Sequence, residues 1–118
     1  MRLECARPPM PDLYLFHSRD KCVSKLRELG WDGDGPLGTD AQTWLVGRSA
    51  VVLIEYSGDW HSEAAMLCHE AVHVADGWLR ALGEDRPTDE ERAYLTQCVA
   101  EPLFRGHERW KERHGFLV

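Results

Sequence analysis

The chain lacks any run of about 18 consecutive apolar residues, so no segment is expected to cross a membrane as a helix. Its opening stretch, Met1 to Met10, has no apolar stretch of the kind a secretion leader carries, and none is expected. The four cysteines, Cys5, Cys22, Cys68 and Cys98, include no CxxC spacing. Free thiols in a reducing cytosol are therefore expected. Positive charge is scarce as well. Lys plus Arg number 14 against 20 Asp plus Glu, a formal net charge of −6. That balance argues against general binding to nucleic acid or to an anionic membrane. Internal repeats and low-complexity tracts are missing too.

What is present suffices for one domain over residues 1–118. The chain is 43% hydrophobic and holds five Trp, which argues against disorder. A domain of this size buries roughly two-thirds of its unfolded surface and needs no disulfide to hold it. Residues 1–12, with three prolines, read as a loose arm. Leu13–Phe16 reads as a short strand. Ser18 is placed to cap a helix over Arg19–Leu29, with Gly30 as its stop. Glycine-rich residues 30–40 read as a loop. Two β-prone runs follow, Thr43–Val46 and Ala50–Tyr56, joined by Gly47-Arg48-Ser49 as a hairpin. The continuous apolarity of Val51-Val52-Leu53-Ile54 predicts a strand covered on both faces.

From Ser62, taken as an N-cap, a long helix is predicted to about Leu82. One apolar stripe runs through Ala65, Cys68, Val72, Ala75, Leu79 and Leu82. A second runs through Leu67, Ala71, Val74, Trp78 and Ala81. The pattern predicts a helix buried over most of its girth, with Cys68 as packing. His69, His73, Asp76 and Arg80 form the remaining polar stripe. A further helix is predicted from Thr88 toward Ala100. Pro102 is expected to break or kink it, leaving residues 103–118 as a helical tail.

The segment His69-Glu70-Ala71-Val72-His73 is an HExxH motif on the predicted central helix. Histidines four residues apart share a helix face, so both imidazoles can reach one zinc ion. Glu70, beside the first of them, is placed to take a proton from an attacking water. A third protein ligand is needed. Asp76 and Leu79 stand where a second His-containing extension of the motif would need Gly and His, so the ligand is sought on the next helix. Glu84, Glu90 and Glu91 are the candidates. Thr88-Asp89-Glu90-Glu91 fits a capping box in which Glu91 turns back to the Thr88 N–H. That leaves Glu90 free, and Glu90 is preferred. Asp76 is read as an acceptor for a ligand imidazole or for Arg80. Tyr94, one turn after Glu90, is either a donor to a developing oxyanion or a core aromatic. His107 and His114 are expected to be solvated, and His17 and His61 have no partner that the sequence names.

The run from His69 to Val74, with Gly83-Glu84, Pro87, Glu90, Ala93-Tyr94-Leu95 and Gln97, resembles a group of short HExxH proteins encoded in tailed phages and prophages. The resemblance covers about residues 61–104. It implies an α+β fold: a minimal zincin-like, gluzincin-type domain with a small antiparallel or mixed sheet packed on the HExxH helix and a following helix. It also implies that Glu90 is the metal-binding Glu four residues before the Tyr. The function expected is a zinc-dependent hydrolase, a small metallopeptidase of the bacterial host cytoplasm. His69, His73 and Glu90 hold the zinc in it, Glu70 activates water, and the strand Val51–Tyr56 aligns a peptide or protein substrate. The other expectation is a scaffold or phage morphogenesis protein with a protein partner and a structural or absent metal.

Overall fold

The computed structural model describes residues 1–5, 10–84 and 86–116. Its elements run β1 (Arg2–Leu3), β2 (Asp12–Phe16), α1 (Arg19–Glu28), β3 (Ala41–Val46), β4 (Ser49–Ile54), α2 (Trp60–Ala81) and α3 (Asp89–Arg113). The fold is α+β, with a mixed four-stranded sheet in the order β1-β2-β4-β3. β4 pairs parallel to β2 and antiparallel to β3. Among the described residues, no helix is long and apolar enough to cross a membrane.

Strand alternation decides what each face meets. Leu13, Leu15, Ala50, Val52 and Ile54 point to one side and pack on Leu67, Ala71 and Val74 of α2 and on Val99 and Leu103 of α3. Trp44, Val51 and Leu53 point to the other side and pack on Cys22 and Leu26 of α1. β4 is buried at every residue, as its unbroken apolar run predicts. α1 carries the expected Ser18 cap, which accepts from the Lys21 N–H at 3.4 Å.

Four expectations are corrected. The first residues are not a loose arm: Arg2–Leu3 pairs antiparallel with Tyr14 and Leu13. Leu3 is buried there because Gly106 leaves room for it. A Cβ at 106 would come within 2.5 Å of Leu3 Cδ2. Part of the expected arm, residues 6–9, lies outside the described residues. The strand Val51–Tyr56 cannot align a substrate, because β4 lies inside the sheet with both edges paired; the free edge beside α2 is β3. The cap of α2 is Asp59, whose carboxylate accepts from His61 and Ser62 N–H, so Ser62 lies inside the helix.

Pro102 does not end a helix. α3 runs unbroken through it from Asp89 to Arg113. Proline removes one backbone hydrogen bond and crowds the preceding turn. Val99 and Leu103 on either side are fully buried, as is His107 one turn on, and this packing holds the helix together across the proline. The segment after 102 is thus a packed half of α3 rather than a tail.

Candidate metal centre

Helix α2 supplies the first two site residues through its period. His69 and His73 sit one turn apart on the outer side of the helix and are exposed. Their Nε2 atoms approach to 3.1 Å. Two nitrogens bound to one tetrahedral zinc at about 2.0–2.1 Å lie about 3.3 Å apart. The side chains therefore already converge at near the separation such an ion requires.

Glu70 faces the sheet and is only 4% exposed. Its Oε1 accepts a hydrogen bond from the Thr43 hydroxyl at 2.8 Å, and its Oε2 lies 3.9 Å from His69 Nε2. Thr43 belongs to β3, 27 residues earlier in the chain. No local sequence signal links the two. The connection follows from alternation, since Ala41, Thr43 and Leu45 turn toward α2 while Trp44 turns toward α1. Gly77 lets the two elements approach closely, because a Cβ there would lie 3.0 Å from Leu45 Cγ. Between β3 and α2 runs an open cleft of about 530 Å³, with Thr39, Ala41, Gln42, Thr43 and Leu45 on one wall and His69, Glu70, His73, Gly77 and Arg80 on the other.

The third ligand expected from the sequence, Glu90, lies on α3. The capping box forms as expected: Thr88 Oγ1 accepts from Glu91 N–H at 3.1 Å, and Glu91 Oε1 accepts from Thr88 N–H at 3.2 Å. Glu90 is exposed on the first turn of α3. Yet no three His, Cys, Asp or Glu side chains among the described residues are grouped closely enough to hold one metal ion. Glu90 is thus not gathered with the two imidazoles. Tyr94, one turn on, is 48% exposed.

Asp76 pairs with neither His73 nor Arg80. Its Oδ1 lies 3.3 Å from Arg92 Nε, tying the first turns of α3 to α2 one turn beyond His73. That oxygen is buried and makes no hydrogen bond of good geometry. Cys68 and Val72 are exposed rather than packed, so α2 buries one face only, through Leu67, Ala71, Val74, Ala75, Trp78 and Leu79. The apolar flank beside the histidines lies open.

A second polar cluster was not legible in the sequence. Glu63 and His107 are both fully buried, joined by a 2.7 Å hydrogen bond from His107 Nε2. Glu63 Oε2 accepts from Gly58 N–H at 2.8 Å, from Ser57 N–H at 3.2 Å and from the Ser57 hydroxyl at 3.1 Å. Burial alone raises its pKa, but these hydrogen bonds prevail and bring it down to about 2. Since a carboxylate only accepts, His107 donates through Nε2, and its Nδ1 accepts a hydrogen bond from His17 Nε2, 2.9 Å away. His17 is stacked on Trp110, with ring centroids 3.9 Å apart. Burial first, then the neighbouring His107 and His114, hold its pKa down at about 3. Lys111 Nζ, 3.5 Å from Glu63, completes the cluster. The expectation that His107 is solvated is thereby corrected, and His17 acquires the partner the sequence could not name.

Searches against protein-family models, curated proteins and solved structures find no match to this chain.

Proposed function

We propose that the chain is a small zinc-dependent hydrolase of the metallopeptidase type. The reading rests above all on the convergence of His69 and His73 Nε2, 3.1 Å apart, beside a buried glutamate at the wall of an open cleft. His69 and His73 would hold the metal, with Glu90 brought in from the first turn of α3 as third ligand. Bound there, zinc would supply Lewis acidity toward a carbonyl and toward water.

The chain's own groups carry the rest. Thr43 holds Glu70 Oε1, which leaves Oε2 on the His69 side to take the proton of an attacking water. The same carboxyl can then pass that proton to the leaving amine. Burial keeps the carboxylate poorly hydrated, and the Thr43 hydroxyl fixes its orientation. The unpaired edge of β3 offers N–H and C=O groups to an extended peptide, which can add to the sheet alongside the histidines. Tyr94, one turn after Glu90, is assigned as donor to the developing oxyanion. The phage or prophage origin and the host-cytoplasm setting stay part of this proposal.

The second reading is a zincin-like scaffold or phage morphogenesis protein with a structural metal or none. Glu70→Gln separates the two. The hydrolase reading expects zinc retained and cleavage of a mixed peptide library abolished. Wild-type protein that binds zinc yet cleaves nothing, indistinguishable from Glu70→Gln, overturns it.

A further inference from the structure

The cleft beside the two histidines has a charged end. Arg80 lines it, seven residues beyond His73 on the same stripe of α2. Two helical turns place its Cα about 10 Å further along the helix. Gly77 lies between them and raises no side chain, so the wall is low from His73 to Arg80.

Arg80 pairs with no carboxylate among the described residues. Acids are not scarce in a chain with 20 of them against 14 basic residues. The acid at the favourable i−4 position, Asp76, is held by Arg92 of α3 instead. Glu70, the carboxylate among the residues lining the cleft, faces the sheet, where the Thr43 hydroxyl and His69 meet its two oxygens, and no ion pair joins it to Arg80. Arg80 thus remains as a planar fork of hydrogen-bond donors suited to a carboxylate.

We propose that the cleft selects extended peptides bearing a carboxylate that meets Arg80, about three residues from the bond placed at His69 and His73. The spacing follows from the 10 Å offset and the advance of about 3.3 Å per residue in an extended chain. The inference rests on the reading of this cleft as a peptide site. It adds a substrate class to it.

Polarity identifies two sources of that carboxylate. Thr43 meets Glu70 and Leu45 meets Gly77, so β3 runs in the same sense as α2. A peptide added antiparallel to β3 directs its N-terminal side toward Arg80, and the carboxylate is then an Asp or Glu side chain. A peptide added in parallel directs its C-terminal side there, and the carboxylate is the chain terminus. Neither arrangement asks anything of Arg80 beyond binding. It is a specificity residue, not a catalytic one.

Arg80 also lies in the last turn of α2, where a cation suits the helix dipole. A stability effect alone therefore proves nothing, and the test must read binding. Full-length Glu70→Gln protein is titrated, with and without zinc, into three fluorescein-labelled nonapeptides followed by anisotropy. One carries Asp and Glu with an amidated end. The second is its Asn and Gln twin, also amidated. The third is the neutral twin with a free C-terminal carboxylate. One of the two carboxylate peptides should bind about tenfold more tightly than the amidated neutral twin, as a charge-assisted hydrogen bond implies. The advantage should shrink with added salt.

Arg80→Ala should erase that advantage, while Arg105→Ala on the outer face of α3 should leave it. The favoured peptide identifies the source, internal side chain or chain end. Equal binding of all three peptides overturns the proposal, as does an advantage that survives in Arg80→Ala. Failure of the hydrolase reading would look different: wild-type protein with zinc would cleave nothing while Arg80-dependent binding persisted.

Discussion

Replacing His107 by Leu tests the buried Glu63 cluster most severely. Leu fills much of the volume, so the main loss is polar. The substitution removes the 2.7 Å hydrogen bond to Glu63 and the 2.9 Å one from His17. Glu63 keeps its backbone donors at Ser57 and Gly58 and the cation of Lys111 at 3.5 Å. It loses its shortest contact while remaining buried. A hydrogen bond to a charged group is worth about 1.5–3 kcal/mol, and a buried charge stripped of its partner costs about 3–5 kcal/mol. The remaining partners place this case near the lower bound, at about 3 kcal/mol. Domains of this kind hold only about 5–15 kcal/mol in total. Urea unfolding followed by Trp fluorescence reads it as a lowered midpoint at unchanged slope. A loss below about 1 kcal/mol would refute the claim that this cluster ties α3 to α2.

The same cluster sets a pH dependence. His17 has its pKa lowered to about 3, so between there and the ordinary value of 6.5 the unfolded chain binds the extra proton. Its contribution to stability is complete above pH 6.5 and is lost as pH falls toward 3, amounting to about 2 kcal/mol between pH 7 and pH 5. Glu63, lowered to about 2, adds a loss of the same sign below its ordinary 4.5. In the His17→Phe protein the loss between pH 7 and pH 5 should shrink; a curve that overlays the wild type contradicts the assignment.

Two further predictions concern the cleft. Thr43→Val removes the hydroxyl on Glu70 Oε1 and should lower peptide hydrolysis about tenfold to a hundredfold with zinc affinity held, while Thr43→Ser restores it; steady-state kinetics beside chelator competition check this. Glu90→Gln should weaken zinc binding strongly, whereas Glu91→Gln should keep the metal and cost about 0.5–2 kcal/mol through the Thr88 cap, read by thermal melts.

Much of the frame was legible. The Ser18 cap, the hairpin, the doubly covered β4 and the capping box at Thr88 are local signals, carried by residues within a few positions of one another. What escaped depended on contacts between distant segments. Residues 1–12 looked loose because nothing nearby tells that Leu3 docks on Gly106. Pro102 looked like a terminus because helix propensity omits the packing of Val99 and Leu103. The outer flank of α2 looked buried because its stripes are apolar, yet among the described residues Cys68 and Val72 on that flank are left exposed. At the site, His69, Glu70 and His73 were readable from spacing. Thr43 was not, since its link to Glu70 is made only when β3 lies against α2. His107 and Glu63 were missed for the same reason, being 44 residues apart.

The metal itself tests the central claim most directly. Protein purified without a histidine tag, dialysed against trace zinc and measured by elemental analysis, should carry about one zinc per chain. His69→Ala and His73→Ala should each abolish it, with the fold retained because both side chains are exposed. Wild-type protein that takes up no zinc, or a double mutant that holds as much as the wild type, contradicts the account.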